Sequence, residues 1–314
     1  MAEAALRATS TSRDHQLDIL RGVAVVGMFF FSSLLTLSDR LPLMLRHNEF
    51  GKLLPGDFVV TTFLFSSGVS IQLLMNRYPS ILNRELWRKL SKRLLVMLLV
   101  SIVVTPFSVS ELLGMDEVML NLVLTIPAVL LSACGVRFSV AAVVMICGAY
   151  AVFHAQIPFE SRYLGGYPGA VFFFPAMLAG MFLSERGRSQ VWVHALLWGC
   201  GAVLLAVVLG RPDKLRVTPS FVALSSCVSL LLIGFLDRLR VECGPLEYFG
   251  KHSLRMWFLL FAMLGPVRLY AEVSLHTRQL SLSTTEALGI SVGWMVVSYG
   301  MSKLLDWGTK KLNR

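Results

Sequence analysis

Residues 17–37 read L-D-I-L-R-G-V-A-V-V-G-M-F-F-F-S-S-L-L-T-L. Asp18 and Arg21 stand three apart, a spacing that puts two side chains on one face of a helix. From Val23 to Leu37 no residue is charged. A helix crosses the hydrocarbon core of a bilayer in about 20 apolar residues, and this run has that length. The charged pair at its start has two readings. One is an anchor that fixes helix depth at the membrane surface. The other is a polar mouth leading to a site inside a helical bundle.

The pattern recurs along the chain. Apolar runs follow at 56–76, 94–113, 118–135, 137–153, 167–184, 191–210, 218–236, 253–271 and 285–305. Lipid admits only helices or closed barrels, and these runs are too long for barrel strands. The expected fold is therefore all-α, a polytopic membrane bundle of about ten transmembrane helices. Pro106, Pro127 and Pro175 fall inside the third, fourth and sixth runs, where proline kinks or ends a helix. The fourth and fifth runs are short and adjacent, and together they also read as one tight hairpin. Residues 1–16 and 306–314 are expected as cytoplasmic tails around a membrane domain at 17–305.

Composition agrees. The 314 residues are 55% hydrophobic and 15% charged, with mean hydropathy +0.67. A soluble domain carries about 25% charge. The formal net charge of +10 has a membrane explanation, since basic residues collect in cytoplasmic loops. Arg77, Arg84, Arg88, Lys89, Lys92 and Arg93 follow the second run against Glu85 alone, whereas the next loop holds Glu111, Asp116 and Glu117. Arg137, Arg186, Arg188, Arg238, Arg240 and Lys251 fall on the same side as the first basic loop. So do Arg7, Arg13, Lys310, Lys311 and Arg314, which places both termini in the cytoplasm of a multi-pass plasma (inner) membrane protein. Arg211, Lys214 and Arg216 fall outside, read either as a site for an acidic ligand or as noise. No separate basic surface points to nucleic acid. No small-residue cleavage pattern closes the first run, so it is expected to be retained. Cys134, Cys147, Cys200, Cys227 and Cys243 match no metal spacing, nor do the six histidines, and no metal is expected.

The residues that can carry chemistry are few. His47 lies in an outer loop, in R-H-N-E-F-G at 46–51, and a neutral imidazole takes protons near pH 7. A loop histidine without a role is the competing reading. Asp57 opens the second run behind Pro55 and Gly56, where a carboxylate suits a helix N-terminus. It reads either as that cap or as a group that orients His47 or substrate. Ser66-Ser67-Gly68-Val69-Ser70 has the small side chains of close helix contact. Arg88, Lys92 and Arg93 read as topology determinants or as holders of cofactor phosphates. His252 and Arg255, three apart after Gly250, read as a cytoplasmic anchor or as contacts to a phosphate-bearing donor.

Five pieces together resemble a known family. They are L-D-I-L-R-G-V-A-V-V-G-M at 17–28, His47 with G-D-F-V-V-T-T-F-L-F-S-S-G-V-S-I at 56–71, the basic run ending in Lys92 and Arg93, F-G-K-H-S-L at 249–254, and V-T-P-S-F-V-A-L at 217–224. The chain is similar to membrane acyltransferases related to heparan-alpha-glucosaminide N-acetyltransferase, in particular their short bacterial relatives. The resemblance implies transfer of an acetyl group from cytosolic acetyl-CoA to a glycan or small-molecule acceptor across the membrane. It gives His47 the role of catalytic histidine and Asp57 that of its acid; Asn48, by its position beside His47 and not by the resemblance, is expected to help bind the developing oxyanion. Arg21, Arg88, Lys92, Arg93, His252 and Arg255 become the expected donor-binding set. Phe50 and Gly51 stand where the family often has Trp and Gly, one residue differently spaced from Asp57, and His252 replaces the Asn of the family's Gly-Lys-Asn-Ser. Direct transfer and an acyl-histidine route both remain open, as do monomer and homodimer. The competing function is a transporter or flippase of a glycan or lipid-linked substrate.

Overall fold

A computed structural model describes residues 14–46, 52–78, 80–104, 117–154, 166–274 and 280–312. Among them the chain forms eleven α-helices. Asp14 caps the first, its carboxylate accepting the Leu17 N–H at 2.9 Å. In order they are α1 His15–Leu37, α2 Phe58–Arg77, α3 Arg84–Val104, α4 Glu117–Cys134, α5 Val136–Phe153, α6 Gly166–Arg186, α7 Val191–Leu209, α8 Pro219–Leu239, α9 Gly244–Lys251, α10 Ser253–Ser274 and α11 Thr284–Leu312.

Among the described residues, five segments are long and apolar enough to cross a membrane: His15–Leu37, Pro55–Arg77, Arg188–Leu209, Pro219–Leu239 and Thr284–Lys311. That corrects the expectation of ten. The apolar parts of α4, α5, α6 and α10 are each 17 residues or shorter. At 1.5 Å per residue they reach about 25 Å, less than a hydrocarbon core of about 30 Å. The first half of α3 is studded with Arg84, Glu85, Arg88, Lys89, Lys92 and Arg93, and its described part ends at Val104. Pro106 lies outside the described residues. The hairpin at 118–153 is two helices, broken at Gly135 with φ 92°.

Burial identifies α2 as the central helix. About 72% of its apolar window is buried, against 22% for the segment containing α7 and 17% for α11. α2 packs on α1, α4, α6 and α8. Its contact with α6 is a backbone approach: a Cβ on Gly68 would stand 1.9 Å from the Met177 carbonyl oxygen, and one on Gly180 2.0 Å from that of Phe65. Small residues are what allow helices so close in lipid. The same contact recurs between α1 and α9, where a Cβ on Gly22 or Gly250 would strike the carbonyl oxygens of Leu246 or Asp18.

Hydrogen bonds between helices replace the apolar driving force that lipid removes. Asn121 donates to Ser67 at 2.8 Å, Ser132 to Gln72 at 2.8 Å and Ser33 to Ser291 at 2.7 Å, while Thr62 meets Ser229 at 3.0 Å. Aromatic packing ties α1 to α10 and α11 through Phe29, Phe261, Trp257 and Trp294. Two ends of the bundle result. One carries Asp14, Arg188 and Asp237, with Arg188 bridging both carboxylates. The other joins the end of α1 to residues 280–282, where the Leu282 N–H donates to the Leu37 carbonyl at 3.1 Å.

Candidate functional site

At the end where α2 begins, Pro55–Asp57 forms one turn of 3-10 helix. Asp57 is fully buried and takes the capping position of that opening turn, the simpler of its two expected roles. Its carboxylate accepts the Leu54 N–H at 2.9 Å and lies 3.8 Å from the Lys214 ammonium, which is 2% exposed. The Phe58 and Phe221 rings stack at 6.2 Å beside it.

The loop before α8 delivers Lys214. Asp213 and Thr218 clasp each other: the Asp213 N–H donates to the Thr218 hydroxyl at 2.9 Å and the Thr218 N–H to the Asp213 carbonyl at 3.1 Å. The Asp213 carboxylate takes the Leu215 N–H at 2.9 Å. Tyr150 of α5 donates to the Arg216 carbonyl at 3.2 Å, and Ser220 to the Gly210 carbonyl at 2.8 Å. Val217, fully buried, sits at φ 48°, a left-handed conformation that a β-branched residue adopts only when its surroundings force it. Sequence reasoning placed Lys214 in a basic outer loop, read as a site for an acidic ligand or as noise, and did not connect it with Asp57. The available signal was Thr218-Pro219, a cap and first-turn pair that fixes the loop's end beside the bundle.

The opposite end is cationic. Arg21 donates to Asp18 at 2.9 Å and to Ser70 of α2 at 2.5 Å, and the pair is 13% and 5% exposed. The two side chains share a face as expected, and neighbouring helices largely cover the pair. Arg93 stands on α3, where burial first and the charge of Arg21 second lower its pKa to about 10. Arg255 donates to Asp306 at 2.6 Å, and His252 lies 3.7 Å from the same carboxylate. Tyr248 donates to Asp306 at 2.6 Å, and burial together with that bond pushes its phenol above the usual value. The Lys303 ammonium lies 4.1 Å over the Tyr248 ring.

The structure thus gathers His252 and Arg255 around Asp306, and links Arg21 with Arg93 through charge alone. Arg88 pairs instead with Glu85 at 2.9 Å on an exposed face, and Lys92 is exposed. His47 and Asn48 lie outside the described residues. No cluster of His, Cys, Asp and Glu among the described residues suits a metal ion.

These features define an all-α, multi-pass membrane protein with charged groups concentrated at both ends of its central helix. The family model described as "Heparan-alpha-glucosaminide N-acetyltransferase, catalytic" matches residues 13–261, and the chain belongs to that family of acetyltransferases. The match runs from the start of α1 into α10 and includes both Asp57 and Lys214. No curated protein matches the chain.

Proposed function

We propose that this protein is a transmembrane acyltransferase that moves an acetyl group from cytosolic acetyl-CoA to a hydroxyl or amine of a glycan or related acceptor on the outer face. The observation that carries the reading is the placement of two charged groups along one helix. Arg21 grips α2 at Ser70, with Arg93 nearby, and Asp57 stands at the other end of α2. They are separated by about 20 Å at 1.5 Å per residue, a length suited to an extended pantetheine arm.

In this reading the basic end is cytoplasmic, as the distribution of Lys and Arg favours. Arg93 and Arg21, with His252 and Arg255 beside them, bind the phosphates of the donor by charge-assisted hydrogen bonds. Arg88 and Lys92 draw the anion in from the surface. His47 takes the proton from the acceptor O–H or N–H as that atom attacks the thioester carbonyl. The C–S bond breaks and the CoA thiol leaves protonated. Asp57 steadies the histidine, and Asn48 donates to the oxyanion.

The test uses purified protein in vesicles with labelled acetyl-CoA outside the basic face. His47→Ala should lower kcat by about 100-fold or more. Arg93→Ala should raise the donor KM about tenfold with a much smaller change in kcat. Wild-type turnover in His47→Ala contradicts the base assignment, and substrate flux without CoA release favours a transporter.

A further inference from the structure

Lys214 is costly where it stands. Its ammonium is a compact, strongly hydrated charge, yet it is 2% exposed, and Leu54, Val217 and Phe221 of the same region are each at most 4% exposed. The loop had two other cations to offer, and both Arg211 and Arg216 face outward. Only Lys214 turns in. The turn is enforced by the Asp213–Thr218 clasp, by the Tyr150 bond to Arg216 and by the left-handed Val217. Stability does not explain such an arrangement, because an apolar pair of similar volume is often as stable as a buried ion pair or more so. A strained loop that drives one lysine onto one carboxylate has the character of a functional device.

We infer that Lys214 is the positioning residue of the transfer site: its ammonium fixes the orientation of the Asp57 carboxylate, and the 210–218 loop exists to deliver it. The inference rests on the acyltransfer reading and adds a residue to it. Lys214 need not touch either substrate; it acts through Asp57.

The experiment uses the full chain in lipid nanodiscs, labelled acetyl-CoA as donor, and glucosamine and N-acetylglucosamine as acceptor probes. Lys214→Met should lower kcat about 100-fold while the donor KM stays within about twofold, the signature of lost alignment rather than lost binding. Lys214→Arg, which keeps the charge, should retain kcat within about tenfold of wild type. The double variant Asp57→Asn with Lys214→Met removes both charges and should recover any Tm lost by Lys214→Met, with kcat still low. A kcat that returns along with Tm in the double variant shows a merely structural pair and overturns the inference. So does a wild-type kcat in Lys214→Met. Wild-type protein that transfers acetyl to neither probe overturns the acyltransfer reading and this inference with it. Active wild type with active Lys214→Met overturns this inference alone.

Discussion

At the scale of single residues, two positive-φ side chains behave oppositely. Arg240 ends α8 at φ 47°, where the Val241 N–H closes back on the Leu236 carbonyl at 3.2 Å. It is exposed, so its side chain contributes no packing. A left-handed non-glycine residue costs about 1 kcal/mol or more, and Arg240→Gly should raise stability by about that amount, read as a higher Tm in detergent. An unchanged or lower Tm contradicts the assignment. The same change at Val217 brings no gain, since losing a buried valine costs about 1.5–3 kcal/mol and offsets the relief. Sequence spacing sufficed to place Asp18 and Arg21 on one face, because that depends only on helical periodicity. It could not show that Lys214 is buried, because nothing local in R-P-D-K-L-R says which of three cations meets Asp57, a residue remote in sequence.

At the scale of elements, the two glycine-on-backbone contacts are the rigid joints of the bundle. Gly250→Ala would drive its Cβ to 1.6 Å from the Asp18 carbonyl oxygen, and backbone cannot yield as a flexible side chain does. The variant should lose about 3 kcal/mol and displace α9 from α1, taking Tyr248 from Asp306. A Tm equal to wild type for Gly250→Ala rules out this packing. Helix positions were legible from apolar runs, whereas span lengths were not. Runs such as 118–135 count as apolar by composition, yet their described apolar helices are shorter than the five long spans. The reading of Gly68 as a close-contact residue holds, and its partner on α6 was beyond a single sequence to name.

At the scale of the whole molecule, the two ends should lie on opposite sides of the membrane. Leu82, 88% exposed in the turn between α2 and α3, belongs to the basic end, and Arg40 to the other. In a cysteine-free background, Arg40→Cys should react with an impermeant maleimide on intact cells. Leu82→Cys should react only after the membrane is opened. Labelling of both from one side contradicts the topology. The contacts of α1 carry one more consequence. It packs on α9, α10 and α11, and His15 meets Glu247, 232 residues away. α1 therefore completes its packing only once helices far later in the sequence have been made. Until then the glycine-lined face of α1 that receives Leu246 and Gly250 has no helix on it, so this seam closes late in biogenesis rather than by stacking helices in turn.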